Sequence, residues 1–181
     1  LEVMRRLDRA GIDAMLPDLP GCNESLAPLA EQTLEGWRDA ARAAAQALGA
    51  THVLAIRAGA LLVPKGLPGW HYAAQSGPKM LRGMIRARVI AAREAGVSET
   101  SEALLAIGRS EGLILGGWTM SAPMLRALES AEPALGVGQS AITQSMLGGP
   151  GLWLRAEPDD DAVQSDALAA IIAETLADGA V

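Results

Sequence analysis

The sequence predicts an α/β protein built on a doubly wound parallel sheet with helices on both faces, and three observations lead there. Apolar runs of about five residues alternate with amphipathic stretches of about 10 to 20, the rhythm of βαβ units. The run HVLAIR is apolar almost throughout, as strands buried on both faces tend to be. Glycine or proline closes the amphipathic stretches, at Gly11, Gly49, Pro64 and Gly96.

Taken in order, LEVMRRLDRAGI puts Val3, Met4, Leu7 and Ala10 on one face and predicts a helix ending at Gly11. IDAMLPDL predicts a short strand through Ile12, Ala14 and Leu16, left by the loop PGCNES. Residues 27–48 predict a long helix of strong propensity. HVLAIR is the next strand, and AGALLV a short helix stopped by Pro64 and the turn KGLPG. WHYAA predicts a strand, and SGPKMLRGMIRARVIAAREAG a helix with Pro78 in its first turn. Residues 98–108 predict a short helix, EGLILGGW a strand or hairpin arm, and SAPMLRALESAE a helix. ALGVGQSAI and GLWLRA predict strands, and DAVQSDALAAIIAETLADG a final helix. Ligands of such sheets sit beyond the carboxyl ends of the strands. That singles out the loops at residues 18–25, 57–60, 75–79 and 156–161.

With 181 residues, the chain fits one domain over residues 1–181. Its first residue, Leu1, already lies inside an amphipathic pattern, so the domain reads as incomplete at its N-terminus. Half of the residues are hydrophobic but only 3% are aromatic, with no Phe, which points to a helix-rich protein with small packing residues. A net charge of -6 argues against general nucleic-acid binding. The single cysteine, Cys22, excludes an internal disulfide. No run of 18 apolar residues and no secretory leader is present, which makes a cytoplasmic protein the expectation. Nothing in the pattern calls for a cofactor.

In PDLPGCNES, Pro20 and Gly21 build a tight reversal, and Asn23 is well suited to positive φ. Asp18 can accept backbone N–H groups of that reversal. The loop reads either as the lining of a cleft or as a self-contained turn. Its pattern D-x-x-G-x-[GN]-x-S, following a strand, resembles the corresponding loop of α/β-hydrolases. In that fold the next strand, after a long helix, leads to the nucleophile elbow, and THVLAIRAGALL has that outline.

The elbow pattern G-x-S-x-G uses small residues to flank a strained turn that projects the nucleophile. The matching residues are Ala55, Ile56, Arg57, Ala58 and Gly59, so Arg57 stands at the nucleophile position. A guanidinium stays protonated and has no lone pair with which to attack. The base is missing as well, because the loop after the expected last strand reads AEPDDDAV. The two histidines, His52 and His71, fall at the start of the elbow strand and on the following strand. Ser–His–Asp acyl transfer is therefore disfavoured. Arg57, at the start of a helix, could instead bind a carboxylate, phosphate or sulfate, with Ala58, Gly59, Gly21 and Asn23 lining the site. The competing reading is a structural ion pair with Asp18 or Asp159.

Taken together and in order, PDLPGCNES, AIRAGALL, WHYAAQSGPKMLRGMIRARV and GGPGLWLRAEP resemble the exosortase A system-associated hydrolases of the hydrolase 2 type. The matches include Ser76-Gly77 with Lys79, and Arg86 with Arg88. The resemblance covers nearly the whole chain. It implies an α/β-hydrolase fold whose first strands and oxyanion-type loop are missing here, and a place in exopolysaccharide production and protein sorting. A degenerate hydrolase holding a small anionic or acyl ligand near Arg57 follows from combining the resemblance with the lost triad. The alternatives are an active ester or acyl hydrolase using Cys22, Ser25 or Asp18, and a non-catalytic partner-binding subunit.

Other patterns are weaker. Lys79, Arg82, Arg86 and Arg93 form a basic stripe opposite Leu81, Ile85, Val89 and Ala92, with Met80 and Met84 at the border. The stripe suits an acidic protein, an anionic polymer or a lipid headgroup, or simply a solvated face. Cys22 as a nucleophile needs a cationic neighbour to hold a thiolate. Asp159, Asp160 and Asp161 suit the start of the last helix rather than a metal site. Ser140 and Ser145 lack an elbow and a base, and Trp118 and Trp153 read as core or rim fillers.

Overall fold

The computed structural model describes residues 1–154 and 160–179. In chain order its elements are α1 (Glu2–Arg9), α2 (Leu34–Ala47), β1 (Val53–Ile56), β2 (Gly69–Tyr72), α3 (Gly77–Glu94), α4 (Ser101–Glu111), β3 (Leu113–Leu115), β4 (Trp118–Met120), α5 (Ala122–Leu128), β5 (Gln139–Ile142), α6 (Gln144–Leu147) and α7 (Ala162–Ala177). The strands β1, β2 and β5 form a parallel sheet in that order, with Ala55, His71 and Ala141 in register across it. The strands β3 and β4 form a separate antiparallel hairpin. Among the described residues no helix is long and apolar enough to cross a membrane.

Side-chain alternation explains how the sheet is covered. Leu54, Trp70, Tyr72 and Ile142 pack with Leu7 of α1 and Leu168 and Ile172 of α7 in one cluster. A second cluster gathers Leu34, Leu81, Ile85, Leu104, Leu115, Leu125 and Leu128 from α2 to α5 and the hairpin. Each of these buried side chains is worth about 1.5–3 kcal/mol relative to exposure. Local chemistry sets the helix starts. Thr33, Thr100, Ser121 and Asp161 each accept a backbone N–H of the first turn. At Gly69 and Gly77 only glycine fits. A Cβ on Gly69 would lie 1.9 Å from the Val53 carbonyl oxygen, and one on Gly77 would lie 2.2 Å from that of Leu128.

Several sequence expectations are corrected. Among the described residues a mixed α/β fold forms on a parallel sheet of three strands. The segment Ile12–Leu16 keeps its alternation, with Ile12 and Ala14 packed inward, but among the described residues it pairs with no strand. Met15 and Leu16 are exposed. The long helix begins at Leu34 rather than residue 27, because Thr33 supplies the cap and residues 29–31 form a separate 3-10 turn. After the elbow the chain makes a five-residue 3-10 turn, Arg57–Leu61, too short for a helix-terminal anion site. In the expected strand GLWLRA, Leu152–Leu154 form a 3-10 turn, and Arg155 and Ala156 lie outside the described residues.

Candidate functional site

Arg57 follows β1 directly, at φ 56, a left-handed conformation that is costly for a residue with a Cβ. Ala73 follows β2 at φ 47. Among the described residues, two of the three non-glycine residues with positive φ therefore sit at the carboxyl edge of the parallel sheet. Strain held in such positions tends to mark functional turns. The backbone is locked there, since the Arg57 carbonyl accepts from the Gln75 N–H at 3.2 Å and the Ala73 N–H donates to the Ile142 carbonyl at 3.0 Å.

The Arg57 side chain is half-buried. Its guanidinium carbon lies 4.2 Å from the ring centre of Trp153, a cation–π arrangement. Among the described residues it makes no ion pair, and none of its N–H groups has a hydrogen-bond acceptor. Burial lowers its pKa from the ordinary arginine value, partly offset by Tyr72. The Tyr72 ring lies 5.9 Å from that of Trp153, and burial raises the phenol pKa while Arg57 and Gln144 oppose the rise.

The Tyr72 hydroxyl donates to Gln144 Oε1, just beyond β5. Gln144 Nε2 donates to Gln164 Oε1 at 2.9 Å and to the Gly148 carbonyl at 3.0 Å. The buried Gln164 amide in turn donates to the Pro150 carbonyl at 2.9 Å. This chain of bonds ties the end of β2, the end of β5 and the start of α7 together beneath Trp153. The site thus consists of a cation stacked on indole, flanked by a held phenol. It can bind an anion through the free guanidinium edge. Among the described residues it offers no nucleophile–base pair.

The loop at residues 18–25 is satisfied internally. Asp18 accepts from Asn23 Nδ2 at 2.7 Å and from the Glu24 N–H at 3.3 Å. Ser25 Oγ accepts the N–H groups of Gly21 and Ala27. The Pro20 carbonyl accepts the indole N–H of Trp37 on α2, and a Cβ on Gly21 would meet the Leu29 backbone at 2.7 Å. Asn23 has the positive φ its type suits, at 47. No hydrogen bond joins Gly21 or Asn23 to Arg57. Ala58 and Gly59 sit in the elbow turn beside Arg57. Cys22 has no cation beside it; burial and Asp18 both raise its thiol pKa, the opposite of an activated thiolate. The ion-pair reading for Arg57 loses Asp18 to its own loop, and Asp159 lies outside the described residues.

His52 precedes β1 and stacks on Trp70 with ring centres 5.7 Å apart, while His71 is buried within β2 with its Nε2 unpartnered. Neither reaches the carboxyl edge. Ser140 lies exposed on β5, and Ser145 bonds the Thr143 hydroxyl at 2.8 Å. Asp161 caps α7, accepting the Gln164 N–H at 3.1 Å. Trp118 is exposed on the hairpin rather than in a core. Among the described residues no three His, Cys, Asp or Glu side chains are grouped to hold a metal. Tyr72, Gln144, Gln164 and the contact made by Trp153 were not anticipated. Gln144 carried one usable signal, its place two residues past the strand GVGQSAI. Compared with protein-family models, curated proteins and solved structures, the chain matches none.

Proposed function

We propose that this chain is an α/β-hydrolase-like protein whose nucleophile turn has been converted to anion recognition, with Arg57 holding a carboxylate or other small anionic or acyl ligand. Within that class, the order of its motifs fits the exosortase A system-associated hydrolases of the hydrolase 2 type. Its role would then be to hold rather than cleave a ligand in a cytoplasmic step of exopolysaccharide production or protein sorting.

One observation carries the reading. A half-buried guanidinium, held on a strained backbone and stacked on Trp153, has no acceptor for any of its N–H groups among the described residues. A desolvated cation without a partner is costly. A bound anion accepting two parallel N–H bonds removes that cost. The hydrolytic alternative through Cys22, Ser25 or Asp18 lacks support from the neighbours of those residues. The partner-binding alternative has its own observation, the unpaired cations of α3.

Thermal unfolding with hexanoate, and with methyl hexanoate as the neutral control, tests the proposal. At ten times its Kd a ligand adds about 1.4 kcal/mol, a rise of about 3–5 °C in Tm for a domain of this size. The rise is expected with the carboxylate, not with the ester, and not in Arg57→Gln. No rise, or an equal rise in Arg57→Gln, refutes it. Release of methanol from the ester by the wild type favours the hydrolytic alternative.

A further inference from the structure

On two other helices several arginines pair with acids of the same helix. Arg5 and Arg6 pair with Glu2 on α1, and Arg38 with Glu35 and Arg42 with Asp39 on α2, at the three- and four-residue spacings that bring side chains together. The helix α3 is built differently. Its one acidic residue is the last, Glu94, although acids outnumber bases 21 to 15 in the whole chain. Lys79, Arg82, Arg86 and Arg93 are all exposed, and none makes an ion pair among the described residues.

At 3.6 residues per turn these four side chains and Ile90 fall within an arc of roughly 60–80° and span about 21 Å of helix. Ile90 is 49% exposed in the middle of the cations, and Val97 is 55% exposed just past the helix end. There the stripe runs into an open depression of about 350 Å³ lined by Val89, Arg93, Gly96, Val97, Ser98 and Glu99. The Glu99 carboxylate is already neutralised, receiving Arg88 Nε at 2.9 Å and Nη2 at 2.6 Å. The inner side of α3 is committed to the core through Leu81 and Ile85.

We propose that the outer face of α3, from Lys79 to the depression at Val97, docks an acidic protein segment carrying one apolar anchor side chain. Charge complementarity selects acidity, because four uncompensated cations lie in one line on a chain of net charge -6. The exposed Ile90 and the valine-lined depression select a protein rather than a bare polyanion, which has no apolar group to place there. A flat anionic membrane is a poorer fit, since the acidic remainder of the chain would be drawn toward a surface of like charge. This surface and the Arg57 site share no residue, so either proposal can fail alone.

The test uses a fluorescein-labelled peptide with glutamates at three- and four-residue spacing and a terminal leucine, read by fluorescence anisotropy. Its Leu→Gly counterpart, inorganic polyphosphate and phosphatidylglycerol vesicles serve as competitors in kind. The leucine peptide is expected to bind about tenfold more tightly than the glycine peptide, the yield of burying one such side chain. Raising salt from about 50 to about 300 mM weakens binding by at least about tenfold. R82E/R86E abolishes binding of both peptides, whereas Val97→Asp removes only the advantage of leucine. Unchanged circular dichroism verifies that these surface variants fold. Absence of peptide binding, equal binding of the two peptides, or tighter binding of polyphosphate or vesicles than of the leucine peptide overturns the proposal.

Discussion

Replacing Arg57 by glycine and by alanine separates the strain of its backbone from the value of its side chain. Both variants lose the stacking on Trp153, worth about 0.5–2 kcal/mol depending on how far it is desolvated. Only glycine is released from the left-handed penalty at φ 56, about 1–2 kcal/mol for a residue with a Cβ. Glycine gives back about 0.4–1 kcal/mol through the greater freedom of its unfolded chain. Subtracting, Arg57→Gly is expected to be more stable than Arg57→Ala by about 1 kcal/mol, the reverse of the usual ranking. It should lie close to the wild type, because relief of strain and loss of stacking nearly cancel. Urea unfolding measures the difference as a shift of midpoint at constant slope. Thermal unfolding should show the two variants about 2–4 °C apart. An alanine variant at least as stable as the glycine variant refutes the strained elbow and, with it, the geometric basis for reading this turn as a converted nucleophile site.

Two further substitutions on α3 form a matched pair. Gly77→Ala places its Cβ against the Leu128 carbonyl at 2.2 Å, where backbone must move, and should cost about 2–3 kcal/mol in urea unfolding. Gly83→Ala meets nothing within 4 Å on an exposed helical face and should stabilise by about 0.5–1 kcal/mol. His71 should make stability fall in mild acid, because burial lowers its pKa below the ordinary 6.5, with Gln139 opposing. Above pH 6.5 the imidazole is neutral in both states and its effect is absent. Below it the unfolded chain takes up the proton first, so stability drops by up to about 1.4 kcal/mol per pH unit until the folded His71 also protonates. Glu2, Glu99 and Glu129, whose pKa values are lowered by arginine partners, lose their contributions only as pH falls below about 4.5, which keeps the two windows apart. Urea midpoints between pH 7.5 and 5.5 should decline in the wild type and stay level in His71→Gln.

What the sequence makes legible here depends on how local the cause is. HVLAIR, WHYAA and GVGQSAI are strands because apolar content and flanking turns are written in a few adjacent residues. The start of α3 is legible in Pro78, and the end of α1 in Gly11 at φ 74. The elbow is legible because Ala55, Ala58 and Gly59 leave room for a turn whatever side chain stands at its tip. Alternation in Ile12–Leu16 states which face would be buried, but it cannot state that a neighbouring strand exists to take the backbone bonds. The same limit hides the surroundings of Arg57. Trp153 lies 96 positions away in sequence, and its approach depends on the 3-10 turn that replaces the expected strand.

The loop at residues 18–25 shows the converse. Asp18, Asn23 and Ser25 look like site residues because short polar side chains serve catalysis and turn construction equally well. In this chain each is consumed by the turn, through bonds spanning at most six residues. Arg57 has no such local use among the described residues. Among the described residues its guanidinium has no hydrogen-bond acceptor, whereas Tyr72, Gln144 and Gln164 are linked to one another. That contrast, rather than the pattern of the elbow alone, makes Arg57 the residue on which a ligand would act.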